Sequence, residues 1–404
     1  GEKPLLLGSP EQLKRQLAYI HRGNYGLLDK AEILDSGVDN QTADALMAVK
    51  LAFAFGTIHP PESFLNTLAV ESQPLNLPGG VSLQRLAPNR FEFKLGSETS
   101  EIDLNLPAGM NYVPSYSLQH HEVQRTYFSV VHSGEGDGWD MNRPCMSSVL
   151  MYQGQCYLVD APPNIDQILT HLGIDLSEVR GLFHTHAHDD HFAGLTTLMR
   201  AGHRIKYYAT ALVRNSVSRK LSALTGLKSA RFGQFFDIQN LVFDHWNDCD
   251  GLEVKPLYSP HPVDNNIFLF RTLGHEGYHS YAHWADLSSF DVLDRMTATD
   301  EKAGVSPAFI EKVKTDYLTP ADIKKLDIGG GMIHGQAHDF SQDQSGRINL
   351  AHTARPLSDE EREIGSSATF GTEDILISSD QDFNRQRAHR HLRAYFPSPP
   401  DYRI

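Results

Sequence analysis

Residues 181–195 read GLFHTHAHDDHFAGL and place four histidines and two aspartates within eight consecutive positions. His186 and His188 are two residues apart, so an extended segment points both side chains the same way. Asp190 and His191 follow where the chain turns into a predicted helix. Such a turn gathers four donors around one small space, and imidazole with carboxylate suits zinc, iron or manganese. The stretch therefore predicts a metal site between a strand and a helix.

Other predicted strands also end in a potential metal ligand. LYSPH ends at His261, YAHWAD at Asp286 and INLAH at His352. In layered α/β proteins sites form at the carboxyl ends of strands, so we expect these ends to converge on the histidine stretch. One tetrahedral ion needs about four ligands, whereas seven donors fit two ions that share a bridging carboxylate. The candidate ligands are His186, His188, Asp190, His191, His261, Asp286 and His352.

The bulk composition narrows the class of protein. Of the 404 residues, 21% are charged and 40% are hydrophobic, which is typical of a globular protein. The formal net charge of −14 and the lack of a long basic run argue against a nucleic-acid polymer as partner. No stretch approaches about 18 consecutive apolar residues, so we expect no membrane span, and the apolar run near the N-terminus is too short for a signal peptide. We therefore expect a cytoplasmic protein with a small-molecule substrate.

The sequence patterns divide the chain into three parts. In residues 1–120 we expect an accessory region, because SPEQLKRQLAYI and NQTADALMAVKLAFAFG follow helical patterns and NRFEFKLGSETSEIDLNL alternates around a Gly-Ser turn. Residues 121–375 alternate apolar strands with helical segments, which predicts an α/β layered catalytic domain. One of its predicted helices is TPADIKKLD, residues 319–327. Residues 376–404 are expected to form a helix and an extended, Pro-rich tail.

The segment THAHDDH is similar to the HxHxDH signature of the metallo-β-lactamase superfamily, and the resemblance extends over residues 125–355. SPHPV resembles the segment that supplies a third histidine, here His261, and YAHWAD resembles the segment with the bridging aspartate, here Asp286. GRINLAHTARPL is similar to the closing strand of the ribonuclease Z-like branch, which delivers His352. LDIGGGMIHG resembles that branch's strand ending in a histidine near the reaction centre, here His334.

This resemblance implies a four-layer αββα sandwich and a hydrolase with two divalent metal ions, zinc by expectation and iron or manganese as alternatives. One ion would bind His186, His188 and His261, and the other Asp190, His191 and His352, with Asp286 between them. A hydroxide shared by the ions would be the nucleophile. The implied catalytic side chains are Asp190, which orients the hydroxide, and His334, which protonates the leaving oxygen.

Some assignments stay open in the sequence. His334 and His338 compete with His352 for the role of last ligand, and HWAD stands where the family's usual pattern is SGD. His184 is expected to be a packed histidine, and Asp189 is expected to lie at the surface or to cap a helix.

Further polar residues are expected around the site or in the core. Asp160, at the end of the predicted strand QCYLVD, is expected to accept a hydrogen bond from a ligand histidine. The glycine-rich residues 133–140, SGEGDGWD, are expected to form a flexible loop beside the pocket. His275, His279 and His283 recur every four residues, as on one face of a metal-binding helix, but His279 and His283 lie in the predicted strand YHSYAHWAD, and we interpret the three as structural.

Several functions fit the motif. Hydrolysis of a small phosphodiester, with a cyclic nucleotide as one candidate, follows from the resemblance to the ribonuclease Z-like branch. Because the same hydroxide attacks an acyl carbon equally well, a lactone, thioester or β-lactam is the alternative substrate. A di-iron oxygen or redox protein would be expected to lack one histidine of the pair His186 and His188, and both are present. A binding protein with relic ligands is the remaining class, and the apolar helix at residues 44–55 would suit a homodimer interface.

Overall fold

The computed structural model describes residues 3–110, 112–299 and 304–379. Its first part contains helices and short strands: β1 (Leu5–Gly8), α1 (Pro10–Tyr25), α2 (Lys30–Leu34), α3 (Asn40–Phe53), β2 (Asn66–Ala69), β3 (Leu75–Asn76), β4 (Val81–Ala87), β5 (Arg90–Leu95) and β6 (Glu98–Asp103). Helix α1 begins with a capping box, in which the Ser9 side chain accepts from the Gln12 amide and the Gln12 side chain accepts from the Ser9 amide. The helices predicted in this part and the β5–β6 hairpin are present.

The second part of the chain alternates strands and helices. The strands are β7 (Phe128–Gly134), β8 (Ser147–Tyr152), β9 (Gln155–Val159), β10 (Val179–Phe183), β11 (Ile205–Thr210), β12 (Phe236–Leu241), β13 (Asn247–Cys249), β14 (Leu252–Tyr258), β15 (Asn266–Leu273), β16 (Tyr278–Trp284), β17 (Ile323–Asp327), β18 (Arg347–Ala351) and β19 (Glu373–Ile377). The helices are α4 (Ile165–His171), α5 (Asp189–Phe192), α6 (Leu195–Leu198), α7 (Ala211–Thr225), α8 (Phe232–Phe235), α9 (Phe290–Met296), α10 (Pro307–Tyr317) and α11 (Asp359–Ile364).

These strands form two large sheets that pack face to face. Within the described residues, one sheet has seven strands in the order β12-β11-β10-β9-β8-β7-β19, and the other has six in the order β13-β14-β15-β16-β17-β18. A cluster of buried aromatic residues fills the space between them, where the Phe183 ring of one sheet meets the Phe268 ring of the other edge-on at 5.8 Å. Helices α4 and α7 cover the outside of the first sheet, and α9 and α10 cover the second. The predicted four-layer αββα sandwich is confirmed.

The N-terminal helices pack against these outer layers. Helix α1 packs along α7, and α3 contributes Val49 to the apolar cluster outside the six-stranded sheet. In α3, Lys50 forms an ion pair of 2.9 Å with Asp264, and both side chains are buried. The first part of the chain is therefore in contact with both halves of the sandwich.

One predicted helix is wrong. Residues 319–327, TPADIKKLD, contain the fully buried strand β17, which runs parallel to both of its neighbours, β16 and β18. The two adjacent lysines of this strand are both buried. Lys324 forms an ion pair with Asp343, and the Lys325 ammonium donates to the Gly134 carbonyl. Polar partners from outside the strand thus allow charged residues in a central position.

Two further sequence predictions concern the C-terminal tail and membrane-spanning helices. The tail helix expected in residues 376–404 falls mainly on residues 380–404, which lie outside the described residues. No helix in the described ranges is long and apolar enough to span a membrane.

Candidate metal centre

Three histidines from two loops form one side of the site. His186 and His188 follow strand β10, and His261 follows β14. The Nε2 atom of His261 lies 2.9 Å from Nδ1 of His188. One oxygen of Asp286, Oδ2, faces this trio, at 3.2 Å from Nε2 of His186 and 3.3 Å from Nε2 of His261. The structure therefore brings together the donors expected for one ion.

A second trio lies on the other side of the same carboxylate. Asp190 Oδ2 lies 3.2 Å from Nε2 of His191 and 3.1 Å from Nε2 of His352. The second oxygen of Asp286, Oδ1, is 3.0 Å from His191 Nε2 and 3.3 Å from His352 Nε2. Asp286 thus offers one oxygen to each trio, which is the arrangement needed for a bridging ligand.

Several of these atoms are buried without a hydrogen bond. They include both carboxylate oxygens of Asp286 and the Nε2 atoms of His186 and His191. Burying such groups without partners costs about 1–3 kcal/mol for each. The ligand atoms within each trio, taken together with Asp286 for the first, lie within 4.8 Å of one another. Cations between them would supply the missing partners, so this donor set fits two transition-metal ions.

Burial and neighbouring charges shift the pKa values of the groups in the centre. Burial lowers the pKa of His186 to about 3, so its ring is neutral, as a metal ligand must be. Burial opposes ionisation of Asp286, but His352 and His191 hold the pKa of this carboxyl well below its usual value. Burial likewise opposes protonation of His352, whereas Asp286 and Asp327 raise its pKa to about 9. In the absence of metal, carboxylates and imidazolium groups therefore compensate one another.

Asp160 orients one ligand, as the sequence predicts. Its Oδ2 atom lies 2.7 Å from Nδ1 of His191, which directs Nε2 of that ring towards the centre. Asp160 also accepts from the amide and the hydroxyl of Thr185. The Thr185 hydroxyl is in turn 3.0 Å from Nδ1 of His186. A single buried carboxylate therefore supports ligands from both trios.

Asp327 is a site residue that the sequence analysis missed. It ends strand β17 and accepts from the backbone amides of Leu287 and Gly329. Its Oδ2 atom lies 3.2 Å from Nδ1 of His334, and its Oδ1 atom lies 3.4 Å from Nδ1 of His352. The sequence contains a signal for Asp327, because an aspartate at a strand end follows the same pattern as the other donors. The sequence analysis predicts a helix at residues 319–327, so this signal is missed.

The structure distinguishes the three histidines considered for the last ligand position. His352 lies with Asp190 and His191. His334 lies in the turn after β17, where its Nδ1 faces Asp327, and its ring centroid is 4.5 Å from that of His352. His338 is 66% exposed and is not grouped with the other donors. His334 also belongs to a donor group, with Asp286, Asp327 and His352, but of the three histidines only His352 lies with Asp190 and His191 as well.

Two of the candidate donors adopt a backbone conformation that is rare for residues other than glycine. The φ angles are 47° for Asp286 and 59° for His352, and Asp160 has a φ of 69°. Each such left-handed residue costs of the order of 1 kcal/mol and is typically found where function constrains the chain. All three lie directly beyond strand ends, where the turn of the backbone aims the side chain at the centre.

The remaining histidines and acids of the motif region have structural contacts. His184 is buried, and its Nδ1 lies 2.9 Å from the hydroxyl of Tyr207. Asp189 is in the first turn of α5 and binds the ammonium of Lys220. His283 is buried beside the hydroxyl of Tyr281. None of these side chains belongs to a donor group in the described residues.

A cleft of about 510 Å³ opens onto the centre. Its floor includes His188, Asp190, Asp286 and His352, with His334 beside them. The loop after β7 lines it through Asp137, Gly138 and Trp139, whereas residues 133 and 134 of the expected loop are part of β7. An unexpected wall comes from helix α1, through Gln16, Tyr19, Ile20, Gly23 and Asn24. The metal donors are therefore accessible to a molecule of small size.

Sequence comparisons match the region that holds the site. Residues 128–285 match the family model described as "Anti-Pycsar protein Apyc1", a segment that carries five of the seven donors. The "cAMP/cGMP-dependent 3',5'-cAMP/cGMP phosphodiesterase B" of Dictyostelium discoideum is 24% identical over 253 residues. The match covers 61% of this chain and 22% of that protein, so the chain spans about a fifth of the length of its curated relative.

Solved structures with a similar fold include hydrolases and a protein named for its fold. A metallo-beta-lactamase fold protein, YhfI from Bacillus subtilis, is 16% identical, with a TM-score of 0.46, and covers 61% of this chain and 98% of its own. A diphosphatase from the PhnP family is 15% identical, with a TM-score of 0.45, and covers 61% and 96%. Human tRNase Z, short form, is 16% identical, with a TM-score of 0.41, and covers 61% and 99%. One of these structures is named for the metallo-β-lactamase fold, the fold that the motif indicates.

Proposed function

We propose that this chain is a metal-dependent hydrolase of small phosphodiesters, with two divalent ions at its centre and a cyclic nucleotide as its substrate. The observation that carries the proposal is the position of Asp286, whose two oxygens face two separate trios of donors at the floor of an open cleft. The likeness to a cAMP/cGMP phosphodiesterase supports phosphoryl chemistry over acyl chemistry.

The chain's own residues define how the ions would be held. His186, His188 and His261 would bind one ion, and Asp190, His191 and His352 the other, with Asp286 shared. Such ions would supply a water of lowered pKa and positive charge to stabilise the attacked phosphoryl group. Zinc suits the nitrogen-rich set, and manganese or iron is compatible with it.

We assign Asp190 a second role besides that of a metal donor. Both of its contacts to His191 and His352 use Oδ2, so Oδ1 is left to accept a hydrogen bond from the attacking water. The side chain is 16% exposed and lines the cleft, so a substrate bound there would be its neighbour. Asp190 would thereby orient the nucleophile before attack.

We infer that His334 acts as the general acid. Although burial opposes its protonation, the Asp327 carboxylate raises the pKa of His334 above its usual value. Its ring lies in the cleft lining beside His352. A protonated ring at this place can transfer a proton to the oxygen that leaves phosphorus, while Asp327 stabilises the charged form beforehand.

The test is hydrolysis by the purified chain after loading with zinc or manganese. We expect turnover of cyclic AMP or cyclic GMP and of bis-p-nitrophenyl phosphate, abolished by a chelator and restored by metal. The Asp286→Asn variant should lose activity, and His338→Gln, an exposed histidine outside the donor groups, should retain it. Turnover of lactones or thioesters with no activity on any phosphodiester would overturn the proposal.

A further inference from the structure

The outer part of the cleft has a wall made by helix α1. Gln16, Ile20 and Asn24 are spaced by four residues, so they lie on one face of the helix. The side chains of Gln16 and Asn24 are exposed and form no hydrogen bond to another described residue. This face therefore presents two free amides on either side of an aliphatic residue, directly above the metal donors.

This wall is held firmly. The Tyr19 hydroxyl donates to Asp189 at 2.5 Å, and the Lys220 ammonium lies 4.7 Å from the centre of the Tyr19 ring. At the end of the helix, Lys50 donates to the carbonyl of Tyr25 at 2.6 Å. A wall held at these two points can position a ligand without first becoming ordered, which favours binding.

The loop that carries Trp139 forms another part of the lining. Trp139 is 88% exposed, the highest value among the large hydrophobic residues of the described chain. The loop is fixed beneath it, because Asp137 accepts from the amides of Trp139 and Asp140. Gly138 packs so closely on Asp190 that a Cβ atom there would lie 2.8 Å from the Cβ of Asp190. The chain therefore places an exposed indole next to a metal ligand, where it can stack on a flat ligand.

The charges of the lining limit what this part of the cleft can bind. Lys220 is the one lysine or arginine among the described lining residues, and its buried ammonium already binds Asp189 and the Ala187 carbonyl. Asp137 adds negative charge beside Trp139. A ligand part with further phosphates would meet no free cation here. The complementary group is uncharged, planar and able to form hydrogen bonds along its edge.

We propose that this outer cleft is the binding subsite for the nucleobase of the substrate, with Trp139 stacking on the base and the amides of Gln16 and Asn24 bonding its edge. The proposal rests on the proposed function, because the phosphodiester of the same molecule would occupy the metal centre. Stacking of a base on an aromatic side chain stabilises the bound base whatever its identity, because every base has a flat π-face. The N-terminal part of the chain would thus determine which phosphodiester is bound.

The experiment compares Trp139→Ala and Gln16→Ala with two matched controls, Phe55→Ala and Gln73→Ala. Phe55 is 82% exposed and Gln73 is exposed, and neither lines the cleft. Each zinc-loaded variant is tested on cyclic AMP, cyclic GMP and methyl p-nitrophenyl phosphate, a diester without a base. Calorimetry with the slowly hydrolysed phosphorothioate analogues of both cyclic nucleotides gives binding constants independent of turnover.

We expect Trp139→Ala to raise KM for the cyclic nucleotides and the Kd of their analogues roughly 10-fold or more, with kcat within about twofold. The rate of hydrolysis of the base-free diester should be unchanged. The two control variants should behave like the unmodified chain. The proposal is overturned if both cleft variants bind the analogues as tightly as the unmodified chain. If the unmodified chain hydrolyses no diester, the proposed function fails, and the calorimetry alone decides on the subsite: no binding of the analogues overturns it, and binding weakened by Trp139→Ala supports it.

Discussion

Asp264 and Lys50 join the N-terminal helices to the loop that carries a metal donor. Asp264 is three residues after His261. Its side chain, 1% exposed, forms an ion pair of 2.9 Å with that of Lys50, which is 3% exposed. Asp264 also accepts from the amide of Leu27, and Lys50 donates to the carbonyl of Tyr25. Because the two charges compensate each other away from water, removal of either residue would leave the other charge buried and unpaired.

Loss of one member of this pair should destabilise the fold. We expect Lys50→Met to lower the free energy of unfolding by about 3–5 kcal/mol, since the Asp264 carboxylate would be left buried and unpaired. Urea denaturation at constant metal concentration measures the change. The matched control is Lys30→Met, which removes an ion pair with Asp44 at 39% and 66% exposure and should cost less than about 1 kcal/mol. Equal effects of the two substitutions would contradict the structural role of the buried pair.

The carboxylate behind the ligands should set metal affinity. We expect Asp160→Asn to weaken zinc binding about 10- to 100-fold without changing the number of ions bound, because it supports His191 without being a ligand. Competition with a chromophoric chelator gives the affinity, and elemental analysis gives the stoichiometry. Asp44→Asn, an exposed carboxylate on α3, is the control and should have no effect. An unchanged affinity for Asp160→Asn would show that this hydrogen bond does not matter to the centre.

Removal of the proposed general acid should affect the chemical step. His334→Gln is expected to lower kcat for a cyclic nucleotide about 10²- to 10⁴-fold with little change in KM. Esters of p-nitrophenol should be much less affected, because that leaving group needs no proton. Steady-state kinetics on both substrates give the comparison, with His338→Gln as the control. A similar loss on both substrates would instead point to a role of His334 as a ligand.

The buried lysine of strand β17 should make stability depend on pH. Burial lowers the pKa of Lys325 to about 7, although Glu135 opposes the shift. Because the unfolded chain keeps this amine protonated up to its usual pKa, near 10.4, it binds more protons above pH 7, and stability should rise with pH. The gain between pH 7 and 8.5 is on the order of 1–2 kcal/mol.

Unfolding measured from pH 6 to 9 tests this dependence. Lys325→Met fills the same space without an ionisable group, so the difference between the two proteins isolates the lysine. We expect Lys325→Met to be the more stable protein near pH 6 and its advantage to shrink as the pH rises. A constant difference across this range would show that Lys325 stays protonated in the folded chain.

Parts of this site could be predicted because the information is local. The segment THAHDDH joins a strand end to a helix start, so spacing alone identifies His186, His188, Asp190 and His191 as neighbours. His261, Asp286 and His352 follow apolar runs, and the ends of such runs meet at one edge of the layered sheets. The αββα architecture follows from the alternation of strands and helices and from the resemblance that the motif carries.

Other parts depend on long-range contacts that no local pattern encodes. The wall formed by α1 arises because Tyr19 reaches Asp189, 170 residues further along the chain. The strand IKKLD is predicted as a helix because the Asp343 carboxylate that pairs with Lys324 and the carbonyl that accepts from Lys325 come from other segments, and this error conceals Asp327. Hydrophobic periodicity identifies buried faces, but it cannot identify a buried charge whose partner lies elsewhere.

We infer that the carboxylate of Asp286 would lie between two metal ions. Anomalous diffraction at the zinc absorption edge from crystals of the metal-loaded chain tests this inference. We expect two peaks, one among His186, His188 and His261 and one among Asp190, His191 and His352, each beside one oxygen of Asp286. No peak among these residues, or a single peak with the second trio unbound at saturating zinc, would contradict it.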